Sequence, residues 1–128
     1  MNKVILITGC SSGFGMLTAA KLAAAGHTIY ATMRNLQKQN ALMLELEQRD
    51  TMCQILHLDV TEDKSINKVI DIIEKQAGRL DVLINNAGYG IGGFFEDLLE
   101  DEIRSQFETN FFGVQKVTRS ALPLMRDT

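Results

Sequence analysis

The chain has 128 residues, 45% of them apolar and 23% charged, with one proline, no tryptophan and a net charge of −3. That length supports one core and one domain. The small acidic surplus is spread among interspersed charges, which excludes a basic face for a nucleic-acid backbone and leaves no charged tail.

Lys3–Thr8 reads as the first strand, around the apolar run Val4-Ile5-Leu6-Ile7. A strand beginning so early leaves no room for a signal peptide, and no apolar run is long enough to span a bilayer. The strand leaves through Thr8-Gly9-Cys10-Ser11-Ser12-Gly13-Phe14-Gly15 into an alanine-rich helix, about Gly15–Ala25. A strand that turns into a helix through three glycines offers free backbone N–H groups and a positive helix end to an anion. Gly9 suits the sharp turn, Gly13 lets backbone approach a pyrophosphate, and Gly15 lets the helix lie close on a sheet. A bound dinucleotide is the expectation; a tight turn without ligand is the plain alternative. Met16, Ala20, Ala23 and Ala24 form the helix's small-residue stripe, and Gly26 suits its C′ position.

Thr28–Met33 reads as the second strand and Leu36–Arg49 as a leucine-rich helix. Met52–Leu58 is the third strand, ending at Asp59-Val60. Thr61 is a good N-cap for the next helix, with Glu62 and Asp63 well placed in its first turn. Ile66, Val69, Ile70 and Ile73 fall at i, i+3, i+4 and i+7, a stripe that needs a sheet to cover it, and Gly78 closes the helix. Val82-Leu83-Ile84 is the fourth strand, opening into Asn85-Asn86-Ala87-Gly88 and a glycine-rich stretch, Gly90–Gly93, expected as a flexible loop on the substrate side. One last helix spans about Glu100–Leu124, roughly 37 Å long. It carries Ile103, Phe107, Phe111, Val114 and Ala121 on a stripe, with Phe112 and Leu122 off it.

Near-continuous apolar strands separated by helices predict an α/β fold, a doubly wound Rossmann-type parallel sheet with helices on both faces. Right-handed crossovers and a nucleotide-binding first turn give the strand order 3-2-1-4. Cys10 and Cys53 are isolated and show no metal-ligand spacing, so no metal is expected. Free thiols in a reducing cytoplasm are the simplest reading, with oxidant sensing by Cys10 as the alternative. His27 and His57 read as structural, and Met16, Met43 and Met125 as core filler.

The glycine spacing G-x3-G-x-G after Thr8 resembles the TGxxxGxG motif of the short-chain dehydrogenase/reductase family. Three further segments agree in order and spacing: Asp59-Val60, Asn85-Asn86-Ala87-Gly88, and Asn110 within Thr109-Asn110-Phe111-Phe112-Gly113. The resemblance covers the whole chain. It implies that Gly9, Ser11, Ser12, Gly13, Phe14 and Gly15 frame the pyrophosphate and adenosine ribose of a nicotinamide dinucleotide. It places Asp59 on the adenine amino group with Val60 beside the ring, and Asn86, Ala87 and Gly88 along the ribose. Asn110 resembles the asparagine of the family's catalytic tetrad, set at a helix kink that holds a water in the proton relay. From the residues alone, the plain alternatives are that Asp59 is a helix-entry residue, Arg34 a solvated charge and Asn110 a buried amide among Phe107, Phe111 and Val114.

The end of the second strand, Tyr30-Ala31-Thr32-Met33-Arg34, has a guanidinium and no carboxylate where NAD-preferring sites place an acid. Arg34 can grip a 2′-phosphate, with Ser11 or Ser12 adding a hydroxyl, so NADP is expected over NAD. The family's chemistry also needs a serine and a Tyr-x3-Lys pair. Tyr30 is followed four places on by Arg34 and Tyr89 by Gly93, so the chain reads as the N-terminal, cofactor-binding portion (residues 1–128), inactive alone. Strand four would then expose an apolar edge, and family members often dimerise through the last helix, so a homo-oligomer is expected.

The residues look closest to the hydroxysteroid- and retinol-dehydrogenase-like branch, implying an oxidoreductase acting on a small, apolar alcohol or carbonyl substrate. A non-catalytic dinucleotide-binding or sensing module is the alternative reading. A nucleotide-sugar epimerase fits less well, because that branch resembles a G-x2-G-x2-G spacing. The absence of Gly-Lys-Ser/Thr excludes a P-loop NTPase.

Overall fold

The computed structural model describes residues 1–126. In chain order it contains β1 (Val4–Ile7), α1 (Gly13–Ala24), β2 (Thr28–Met33), α2 (Asn40–Gln48), β3 (Gln54–His57), α3 (Asp63–Ala77), β4 (Val82–Ile84), α4 (Glu100–Phe107) and α5 (Gly113–Arg126). All strand pairs are parallel and the order is β3-β2-β1-β4, as the alternation of strands and helices predicts. The chain steps outward from β1 to β2 and β3, then returns to place β4 on the other side. This reversal opens a crevice at the carboxyl ends of β1 and β4, where sheets of this kind bind ligands.

Each face of the sheet has its own core. On one, Val4, Leu6 and Tyr30 meet Ile66, Val69 and Ile73 of α3 and Val117, Ala121 and Leu124 of α5. On the other, Ile5, Ile7, Ile29, Ala31 and Met33 meet Ala19, Ala20 and Ala23 of α1 and Leu42 and Leu46 of α2. A helix as short as α3 is marginal alone in water. Its three buried aliphatic side chains, at about 1.5–3 kcal/mol each, hold it to the sheet.

Several local expectations are corrected. Leu36–Arg49 is two elements: Asn35 accepts the Gln37 N–H at 3.0 Å, closing a 3-10 turn over Leu36–Lys38, and α2 starts only at Asn40. Thr61 is not the N-cap of α3. Its hydroxyl donates to Asp59 at 2.7 Å, and Glu62 takes the cap position. On α1, Ala19 is buried and Ala24 exposed. Met43 is exposed rather than core, Met16 and Met125 are half-buried, and the methionine that fills the core is Met33.

The single last helix is interrupted by a π turn, Glu108–Phe112, between α4 and α5. An extra residue per turn rotates the faces before and after it against each other. The buried stripe therefore runs through Gly113, Val117, Ala121 and Leu124, while Phe107 and Phe111 are exposed.

Candidate functional site

Thr8, just past β1, has a buried hydroxyl that accepts the N–H groups of Asn86 and Ala87, both at 3.0 Å. Its own N–H donates to the Ile84 carbonyl at 3.1 Å, so the exits of β1 and β4 are tied together. Across the other neighbour, the Cys10 N–H donates to Thr32 O at 2.9 Å and the Thr32 hydroxyl to Ile7 O at 3.0 Å. The glycine loop is thus fixed to both adjoining strands before it enters α1.

Gly9 has φ +70°, and a Cβ there would stand 2.8 Å from the Ala87 Cα. A Cβ on Gly15 would collide with the Gly9 carbonyl and with the Asn86 amide nitrogen, which donates to that carbonyl at 2.9 Å. Close approach at Gly15 is therefore to the loop and Asn86, not to the sheet as the sequence suggested. Gly13 has φ +59° with no heavy atom within 4 Å of its Cβ direction. The N-cap of α1, Ser12, makes no side-chain cap bond, and the first turn has no acid. A helix start of this kind suits an anion.

Beside the glycine loop lies a cleft of about 640 Å³. It is lined by seven residues singled out in the sequence: Gly9, Ser11, Arg34, Asp59, Val60, Ala87 and Gly88. Ser12, Gly13, Phe14, Gly15 and Asn86 are not on its wall. Asn86 is spent on the loop, and Phe14 is 86% exposed. Arg34 is exposed just beyond β2 and makes no ion pair among the described residues.

Asp59 sits at a turn that uses nearly all of its hydrogen-bonding groups. Its N–H donates to Ser65 Oγ at 3.0 Å, and its carbonyl accepts from the Glu62 N–H at 3.0 Å and Ser65 Oγ at 2.9 Å. Its Oδ1 accepts the Thr61 N–H at 2.9 Å as well as the Thr61 hydroxyl. Val60 packs where α5 begins: a Cβ on Gly113 would lie 2.5 Å from Val60 Cγ2.

Asn110 lies in the π turn and is exposed, which corrects the reading of a buried amide. Its Oδ1 accepts the Tyr89 N–H at 3.0 Å and its Nδ2 donates to the Tyr89 carbonyl at 2.6 Å. Asn110 therefore holds the chain just past Gly88, and its neighbours Glu108 and Thr109 line the cleft. Met33, Leu58, Thr61, Tyr89 and Ser105 also line it and were missed as site residues. Thr61 had a legible signal in the Asp-x-Thr spacing, which favours a side-chain-capped turn. Ser105, a turn and a half before Asn110, had none.

Burial pushes the Cys10 thiol up to about 12 and the Cys53 thiol to about 11. A thiol held protonated is a poor nucleophile, so oxidant sensing by Cys10 is not supported. His27 accepts the Lys3 N–H at 3.2 Å, a structural role. Among the described residues no group of three or more His, Cys, Asp or Glu side chains could hold a metal, and no helix is long and apolar enough to cross a membrane.

The sequence profile described as "short chain dehydrogenase" matches residues 3–128. The chain is 42% identical over 124 residues to 3-ketodihydrosphingosine reductase of Bacteroides thetaiotaomicron, covering 97% of this chain and 42% of that protein. It is 38% identical over 130 residues to retinol dehydrogenase 8 of Bos taurus, covering 97% and 40%. The crystal structure of a variant of actinorhodin polyketide ketoreductase with NADPH superposes with a TM-score of 0.88 at 28% identity, covering 97% of this chain and 48% of that one. The chain thus spans less than half the length of each.

Proposed function

The chain belongs to the short-chain dehydrogenase family, and from that premise we propose that it is the cofactor-binding portion, residues 1–128, of an NADP(H)-dependent oxidoreductase. The observation that carries the reading is one cleft whose wall brings together the glycine loop at Gly9 and Ser11, the Arg34 guanidinium and the Asp59 carboxylate. The loop that leads into the uncapped start of α1 suits a diphosphate, and on the wall Arg34 suits a 2′-phosphate and the Asp59 carboxylate an amino group. Ser11, also on the wall, adds a hydroxyl for the phosphate side. Gly13 and Gly15 keep Cβ atoms out of the loop, while Val60 and Gly88 offer small apolar surface along the wall. A nicotinamide dinucleotide held there would supply or accept a hydride.

Arg34 decides the cofactor preference. A charge-assisted hydrogen bond is worth about 1.5–3 kcal/mol, roughly ten- to a hundredfold in affinity. No carboxylate closes the end of β2 to reward the ribose hydroxyls of NAD instead. The relative whose structure contains NADPH supports the same preference.

Within these 128 residues Asn110 alone matches the catalytic tetrad, and it acts by holding the Tyr89 main chain. Tyr30 is buried with its hydroxyl on Gln76, and Tyr89 lacks a lysine four places on. Proton transfer and carbonyl polarisation are therefore assigned to groups outside this stretch, and the stretch alone turns over no substrate. Relatives named for 3-ketodihydrosphingosine and retinol support an apolar ketone or alcohol as substrate. A cytoplasmic location and a homo-oligomer built on the exposed face of α4 and the π turn complete the proposal.

Calorimetry with NADPH and NADH, beside an assay of ketone reduction, tests this reading. Tight NADPH and weak NADH binding is expected. Equal affinities would remove the NADP preference, and no binding of either would remove the function.

A further inference from the structure

Three of the four hydrogen-bonding atoms of Asp59 are taken by the protein, and the pattern leaves one. Ser65 and Glu62 hold its main-chain N–H and carbonyl, and Thr61 holds Oδ1 with both its N–H and its hydroxyl. Among the described residues only Oδ2 accepts no hydrogen bond, and Asp59 lines the cleft. Thr61 is itself anchored from α5, since Lys116 Nζ donates to its carbonyl at 3.3 Å.

We propose that Thr61 is a positioning residue for purine recognition: by fixing Oδ1 of Asp59 it leaves Oδ2 as a single oriented acceptor, so the site accepts a 6-amino purine and disfavours a 6-oxo purine. This inference rests on the dinucleotide reading of the cleft. A carboxylate held by one oxygen cannot swing to bond a different edge of the base, and an acceptor set against a 6-oxo group meets another acceptor. The Thr61 N–H would survive any substitution but proline. The hydroxyl is therefore the part of the clamp that mutation can remove.

The test is calorimetric binding, in the intact protein, of NADPH and of its hypoxanthine counterpart, in which the 6-amino group is replaced by oxygen. Wild type is expected to prefer NADPH. Thr61→Val should weaken NADPH roughly three- to tenfold, as for one lost hydrogen bond, and change the hypoxanthine form by less than about twofold. Thr61→Ser should restore the wild-type ratio, and Thr61→Val should have little further effect on an Asp59→Asn background. Thr61→Ala, which also keeps the N–H, should give the same pattern if valine disturbs the fold.

Equal weakening of both cofactors by Thr61→Val, or none, would overturn the role of Thr61 while leaving the dinucleotide site intact. Wild type binding both forms equally would overturn the adenine role of Asp59 and this proposal with it. Failure to bind either form would overturn the dinucleotide reading itself.

Discussion

The Asn86 carboxamide occupies the space that a side chain on Gly15 would need, and it bonds the Gly9 carbonyl from that position. Two segments far apart in sequence, the glycine loop and the chain after β4, thus interlock at one point. Gly15→Ala would drive a Cβ into the Gly9 carbonyl, which is backbone and cannot step aside. The expected cost is about 1–3 kcal/mol of stability, as for overpacking elsewhere, with weakened cofactor binding. Thermal unfolding and calorimetry check this. Asn86→Ala should not rescue the variant, because the carbonyl remains.

Arg34→Ala should weaken NADPH roughly ten- to a hundredfold and leave NADH nearly unchanged, because only NADPH carries the phosphate that the guanidinium can pair with. Arg34 has no ion-pair partner among the described residues, so its loss breaks no ion pair there. Titration of both cofactors against the variant decides the matter. Equal loss for both would remove Arg34 from the phosphate site.

The strand order and both cores were legible because β1 and β2 are apolar almost throughout and the stripe of α3 keeps one period. The glycine loop was legible through spacing. Its internal contacts were not, since nothing in Asn85-Asn86 tells which amide turns back to Gly9. The π turn was hidden for a different reason. Each half of the last helix has good periodicity, and one inserted residue changes the face without breaking the pattern. Ile103, Phe107 and Phe111 therefore looked continuous with Ala121, whereas the buried face of α5 starts at Gly113, close against Val60. The role of Thr61 turned on competition between two local hydrogen bonds, one capping α3 and one closing on Asp59, and residue type alone does not rank them.

Asn110→Asp should disturb the segment after β4 more than Asn110→Ala. The amide both accepts from and donates to the main chain of Tyr89. A carboxylate keeps the first bond but sets an anion against the Tyr89 carbonyl. Hydrogen exchange at the amides from Gly88 to Ile91 should accelerate in both variants and most in the aspartate. Unchanged exchange would show that the clamp contributes nothing to local order.

Asp81 ties the start of β1 to β4 from outside the cleft. The Val4 N–H, at 2.7 Å, is the main reason its carboxyl lies below the ordinary 3.8, with Arg79 at 3.1 Å adding to it. A carboxyl with a lowered native pKa contributes stability that is fully present above its unfolded value and fades as pH falls through the native one. Acid unfolding should therefore steepen below the ordinary carboxylate value, and Asp81→Asn should flatten that limb while leaving neutral pH stability slightly reduced. Parallel acid titrations of both proteins by circular dichroism check the sign. A steeper acid limb in the variant would refute it.

The π turn leaves Phe107, Phe111 and Phe112 about half exposed, with the Phe111 and Phe112 rings edge to face at 5.1 Å. Exposed phenylalanines at the end of α4 and on the π turn are apolar surface of the kind that marks association surfaces. If a second copy covers it, Phe107→Glu combined with Phe111→Glu should shift the protein to monomer, because two buried carboxylates without partners oppose association. Both positions lie off the cleft wall, so NADPH affinity should stay within about twofold, well below the effect of losing one hydrogen bond at the site. Light scattering on the wild type and the double variant separates the outcomes. A wild type already monomeric at high concentration would assign this face to something other than self-association.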